Sequence, residues 1–249
     1  MAPLSTVVET APKPPEDGNP NAPKQLPANL STMPANENRR IEGVLFDWDG
    51  TLLDSYAADQ RAYLTMFRGM GVEWGVGEID RHYSPDWHQV YRAAKIPPPD
   101  WERADRMWRM AYRSERPSLL SGAQVAIRRL ERHFALGLVT AGSRRRVRQQ
   151  LREFGLRLAF SAQVFSEDSS RKKPHPAPLQ IALKLLRARP EECVYVGDAP
   201  EDIEMARRAG VRAIGVLSPF PTAERLRAAE PDLLLRSIRD LPRHLRHAD

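Results

Sequence analysis

The stretch Val44-Leu45-Phe46-Asp47-Trp48-Asp49-Gly50-Thr51-Leu52-Leu53-Asp54 decides the fold. A short apolar run halted by two carboxylates and a glycine reads as a buried parallel strand. Such a strand delivers acids to the C-terminal edge of a sheet, where α/β folds keep their ligand sites. On a continuing strand Asp47 and Asp49 point to opposite faces. Gly50 lets the chain leave the strand there, so that both carboxylates and the Asp49 carbonyl can turn to one place. Acids gathered in this way need a cation, and carboxylates with a carbonyl suit a hard ion such as Mg²⁺.

Three further stretches carry candidate site groups, and two of them repeat the arrangement of an apolar run ending in polar groups. Leu136-Gly137-Leu138-Val139-Thr140 runs into Ala141-Gly142-Ser143 and a helix, which sets a hydroxyl beside backbone N–H groups suited to phosphate oxygens. Arg171-Lys172-Lys173-Pro174-His175-Pro176 holds basic residues between prolines, and Lys173 is favoured over Lys172 as the pre-ordered cation. His175 beside it reads as a positional residue. Val196-Gly197-Asp198-Ala199-Pro200-Glu201-Asp202 ends a strand in two acids spaced i, i+4, able to face one ion if a helix starts between them.

Strands at 44–47, 136–140, 164–165, 193–197, 213–217 and 232–235 alternate with helices near 121–133, 143–154, 176–187 and 200–208. This pattern predicts an α/β fold, a Rossmann-like, doubly wound and mostly parallel sheet. Helical spacing fills the interval between the first two strands, from Ser55 to Pro117, with helices from Ser55 to about residue 71 and over about 85–95 and 99–115. In the last of these, Ala104, Met107, Trp108, Ala111 and Tyr112 form one face. Arg103, Arg106, Arg109, Arg113 and Arg116 form another, which reads as solvated, with the sharper option that one or two arginines face a substrate.

The domain division expected is a disordered N-terminal tail at 1–40, an α/β core at 41–54 and 118–249, and a helical cap at 55–117. The tail holds eight of the 22 prolines and has no sustained apolar period. The 249 residues carry a formal charge of +6. That charge suits an anionic substrate, but no nucleic-acid motif accompanies it, so no nucleic acid partner is expected. The lone Cys193 rules out an intramolecular disulfide and favours a reducing compartment. No signal, transit or membrane-spanning stretch is legible, which predicts a cytoplasmic protein away from membranes.

The four motifs, in this order, resemble those of the haloacid dehalogenase superfamily over roughly residues 41–217. The helical insertion resembles the cap of its phosphoglycolate-phosphatase-like and β-phosphoglucomutase-like members. The resemblance implies a Mg²⁺-dependent phosphatase acting on a small phosphorylated metabolite through an aspartyl-phosphate. It implies Asp47 as nucleophile, Asp49 as acid and base, and Thr140, the Ala141 N–H and Lys173 as phosphate ligands. Asp47, the Asp49 carbonyl, Asp198 and Asp202 are implied as the metal set. True dehalogenases resemble this core but lack an acid at the place of Asp49. A sugar-phosphate mutase is the alternative enzyme, and a non-catalytic phospholigand-binding protein the alternative class. Neither the substrate nor the oligomeric state can be read from the sequence.

Overall fold

A computed structural model describes residues 40–245; of the tail expected at 1–40, residues 1–39 lie outside the described residues. Six strands make one parallel sheet: β1 (Gly43–Phe46), β4 (Ala135–Val139), β5 (Ala162–Val164), β6 (Cys193–Gly197), β7 (Arg212–Val216) and β8 (Leu233–Leu235). Their order is β5-β4-β1-β6-β7-β8. The chain builds outward from β1 through β4 to β5, then returns to β1's other side with β6. The crevice at this reversal is where a doubly wound sheet binds ligands.

All four residues of β1 are buried. Alternate side chains serve two layers, which is why the strand reads as a continuous apolar run. Val44 and Phe46 join Val194 and Val196 beneath α5 (Ala123–Leu130), α6 (Arg144–Glu153) and α10 (Leu241–His244). Leu45 joins Cys193 and Tyr195 beneath α7 (Ala177–Leu186), α8 (Pro200–Arg208) and α9 (Ala223–Ala228).

Between β1 and β4 the chain forms four helices, α1 (Tyr56–Gly69), α2 (Val76–His82), α3 (Trp87–Ala93) and α4 (Trp101–Tyr112). They enclose their own apolar cluster of Tyr63, Met66, Phe67, Ile79, Val90, Tyr91 and Ala104. This is the inserted α-helical cap. At its root a two-strand ladder, β2 (Leu53–Asp54) with β3 (Ser118–Leu119), ties the outgoing chain to the returning one. The sequence pattern does not give α2, α9, α10 or this ladder, which are short and lack the clear apolar run or helical spacing that marks α3 and the sheet strands. His82 and His88 stack on Trp74 and Trp101, with centroids 5.1 and 4.5 Å apart, and serve the cap's packing.

The cap is seated on the core. Arg225 donates to the Tyr83 carbonyl (2.9 Å), Ser84 Oγ lies 3.3 Å from Glu201, and Phe220 meets the rings of Tyr56 and Tyr83 at 5.3 and 4.7 Å. No helix among the described residues is long and apolar enough to cross a membrane.

Candidate active site

Asp47 stands one residue beyond β1, where its N–H still donates to the Val196 carbonyl (2.9 Å). The ladder therefore fixes its backbone while its side chain is at the sheet's C-terminal edge. The chain then turns at Gly50, whose φ of +80° favours glycine, and a Cβ there would collide with the Asp198 carboxylate. Gly197 plays a similar part at the end of β6, where a Cβ would strike Asp202. The two acidic strand ends can approach only because both positions are bare.

Lys173 is 6 % exposed and bridges two of the acids, its Nζ lying 2.7 Å from both Asp47 Oδ1 and Asp202 Oδ1. A buried ammonium is stable only with such partners, and here they raise its pKa despite the burial that opposes it. Lys172 points elsewhere, donating to the carbonyls of Ser166 and Ser169. Asp202 is also held by the Tyr195 hydroxyl (3.2 Å) and the Ala199 N–H (3.2 Å), so most of its acceptor capacity is engaged.

Asp198 differs. It is buried and, among the described residues, accepts only from the hydroxyls of Thr51 (3.0 Å) and Ser218 (2.7 Å), with no cation at ion-pair distance. Burial, then the charges of Asp47 and Asp202, push its pKa well above the ordinary carboxylate range. Asp47 rises to about 7, mainly by burial, with Lys173 opposing the shift and Asp202 adding to it. Ligand oxygens of Asp47, Asp198 and Asp202 lie within 4.8 Å of one another. Three acids sharing one ammonium leave negative charge without compensation, and an all-oxygen cluster of this kind fits a hard divalent cation.

Thr140 closes the other side, at the end of β4. Its Oγ1 accepts from the Gly142 N–H (2.9 Å), and the Arg144 N–H at the start of α6 is taken by Glu167 (3.0 Å). The backbone donors expected to be free at this turn are thus partly used, while the N–H of Ala141 has no acceptor among the described residues. His175 Nδ1 accepts from the Ala177 N–H (3.1 Å), a capping contact rather than a contact with the acids.

Asp49 is not among the three clustered acids. Its carboxylate forms a two-pronged pair with Arg146 of α6, at 2.8 and 2.6 Å, and the guanidinium also lies over the Tyr112 ring, 5.0 Å from its centroid. Burial alone would raise the Asp49 pKa; the charge and hydrogen bonds of Arg146 outweigh it and hold the group low. Arg146 escapes a sequence reading because it sits among several arginines, and only the fold brings it to an acid 97 residues earlier.

A cavity of about 150 Å³ joins these groups to the underside of the cap. Asp47, Asp49, Thr140, Lys173 and Asp198 line its core half; Asp59, Tyr63, Trp108, Arg109 and Tyr112 are among those lining its cap half. Of the arginines on α4 in question, Arg109 reaches this cavity, while Arg103 and Arg106 are exposed.

The sequence pattern of haloacid dehalogenase-like hydrolases matches residues 44–216. Pyrophosphatase PpaX of Oceanobacillus iheyensis is 29% identical over 208 residues, covering 81% of this chain and 95% of the relative. Pyrophosphatase PpaX of Bacillus pumilus is 30% identical over 209 residues, covering 81% and 94%. Among solved structures, CbbY from Rhodobacter sphaeroides in complex with phosphate superposes with a TM-score of 0.69 at 25% identity, covering 81% of this chain and 96% of that one. The chain belongs to the haloacid dehalogenase-like hydrolase family, as one of its phosphatases.

Proposed function

We propose that the protein is a Mg²⁺-dependent phosphohydrolase that cleaves a small phosphomonoester through an aspartyl-phosphate at Asp47. The observation that carries this reading is the ammonium of Lys173 2.7 Å from Asp47, beside the uncompensated carboxylate of Asp198. Phosphoryl transfer asks mainly for an in-line nucleophile and positive charge around the transferring oxygens.

Asp47, the Asp49 carbonyl and Asp198 are the residues proposed to hold Mg²⁺. Asp202, already engaged by Lys173, contributes its charge or a water-mediated contact. When bound, the ion offsets the repulsion between an anionic nucleophile and an anionic ester. Thr140, the Ala141 N–H and Lys173 receive the phosphoryl oxygens.

The Asp47 carboxylate forms a bond to phosphorus as the bond from phosphorus to the ester oxygen breaks, and Asp49 gives its proton to the departing alkoxide. Water then attacks the same phosphorus. Asp49 takes the water's proton, the bond to Asp47 breaks, and inorganic phosphate leaves. Residues 55–117 act as the cap over the leaving group, and 41–54 with 118–249 as the catalytic core. Pyrophosphate, the substrate in the names of the relatives, is one acceptable phosphoryl donor for this core. A buried, unpaired Cys193 suits a cytoplasmic setting.

Rapid acid quench during turnover, followed by borohydride reduction and peptide mass spectrometry, tests the intermediate. Conversion of Asp47 to homoserine is expected. Steady turnover with no modification at Asp47 would contradict the proposed route.

A further inference from the structure

The cap half of the cavity is not built for a second anion. Its charged side chains are Asp59, Asp105 and Arg109. Asp105 is partnered by the Tyr91 hydroxyl (2.9 Å) and by Arg109 (3.9 Å). Asp59, on α1, has no cation at ion-pair distance among the described residues. Burial and then the charge of Asp49 raise its pKa to about 7, against the opposing influence of the more distant Arg146 and of the Trp108 indole N–H.

Two buried hydroxyls on this cavity's lining stand without hydrogen-bond partners: Ser55 Oγ, on a residue 1 % exposed, and the Tyr112 hydroxyl, on a residue 5 % exposed. Ser55 faces Asp49 and Tyr112 faces Gln150, but neither meets its neighbour at hydrogen-bonding geometry. Buried hydroxyls left unpaired are costly, so they point to a polar group that belongs there.

The remaining wall is aromatic. Tyr63, Trp108 and Tyr112 form a continuous surface, with centroids 6.2 Å apart for the first pair and 4.8 Å for the second. Arg146 already lies over the Tyr112 ring and Lys172 over Trp87. Tyr63 and Trp108 carry no cation among the described residues. Ring faces beside an uncompensated carboxylate favour a cation, and most strongly an ammonium.

Size narrows the choice. A cavity of about 150 Å³ has room for roughly five waters at about 30 Å³ each. A phosphoryl group with its four oxygens takes much of this space, and a short leaving group fits the rest.

We propose that the substrate is the phosphate ester of a short alkylammonium alcohol, with Asp59 as the ammonium's counter-charge and Tyr63, Trp108 and Tyr112 as its wall. This rests on the hydrolase reading above and specifies the leaving group for the same site. The ammonium supplies the counter-charge that Asp59 lacks and, where it carries N–H, donates to the unpaired hydroxyl oxygens, while the phosphoryl end meets Lys173 and Thr140.

Phosphate release in Mg²⁺ from phosphoethanolamine, phosphocholine, n-propyl phosphate, phosphoglycolate and pyrophosphate tests it, with p-nitrophenyl phosphate reporting on the core. At least one ammonium ester is expected to exceed n-propyl phosphate, whose tail carries no charge, in kcat/KM by about ten-fold or more. Asp59→Asn is expected to collapse that ratio to within about three-fold, chiefly through KM. The wild-type ratio stands as a test even if the variant does not fold. Should p-nitrophenyl phosphate be cleaved while neither ammonium ester outpaces n-propyl phosphate, or while Asp59→Asn keeps the ratio, the substrate assignment is overturned and the hydrolase reading stands. If no ester releases phosphate, both fall.

Discussion

Arg146 holds Asp49 by two hydrogen bonds, of 2.8 and 2.6 Å, across the mouth of the site. A carboxylate paired in this way is kept ionised, and an ionised group has no proton to give. In the proposed mechanism, proton delivery by Asp49 therefore requires it to swing from Arg146 toward the ester oxygen. In the proposed route, the arrangement seen here precedes that swing, with Asp49 held by a residue of α6, the helix that follows Thr140.

Arg146→Gln tests this relationship through pH. Removing the guanidinium leaves burial as the dominant influence on Asp49, so its pKa rises. The limb of the kcat/KM profile on which activity falls with rising pH belongs to the free enzyme's essential acid. That limb is expected to move to higher pH by about 1 to 3 units, the range an adjacent opposite charge commands. An unmoved limb would exclude Asp49 as the acid that Arg146 controls.

The buried acids make a second prediction, about stability. Asp47 and Asp198 have folded-state pKa values above those of the unfolded chain, so the folded state binds more protons over that interval. Stability without metal is therefore greatest at low pH and is lost as pH rises from about 4 through about 7. In EDTA, Tm should fall between pH 5 and pH 8, by about 2–4 °C for each kcal/mol involved. Mg²⁺ competes with protons for the same oxygens, so the rise in Tm that it produces should be larger at pH 8 than at pH 5. Thermal melts at the two pH values, with and without Mg²⁺, measure this directly; a Mg²⁺ effect independent of pH would contradict it.

The fold was legible because β1, β4 and β6 are short apolar runs, each halted by polar residues that cannot continue into the core. The strand ends at Asp47, Thr140 and Asp198 are readable for that reason, and so is Lys173 between its prolines. Arg146 and Asp59 are different. Each is an ordinary residue on an amphipathic helix, and its significance comes from a partner, or the want of one, that only the folded chain supplies. The same holds for Tyr112, which the helical period of α4 marks as apolar-facing but which lines the cavity and lies under Arg146. Trp48 makes the point from the core side: between two site acids in sequence, it is fully buried and donates to Gln150 (2.9 Å), behind the site rather than within it.

Lys173 carries a third prediction. Truncation to Ala removes the shared cation of Asp47 and Asp202 and strands two buried carboxylates. Breaking a buried pair in this way costs about 3–5 kcal/mol, seen as a lower denaturation midpoint in urea at pH 8. At pH 5 the loss should be smaller, because Asp47, raised to about 7, can take a proton instead. A loss equal at both values would mean that packing of the lysine stem, rather than its charge, dominates.

The most direct test of the account is Mg²⁺-dependent phosphate release from p-nitrophenyl phosphate by the wild type beside Asp47→Asn. The account predicts release that requires Mg²⁺ and falls by at least about a thousand-fold in the variant, since an amide oxygen is a poor nucleophile and removing a covalent route forfeits most of the acceleration. Release that persists in Asp47→Asn at a comparable rate, with the variant folded, would contradict the assignment of Asp47 as the nucleophile.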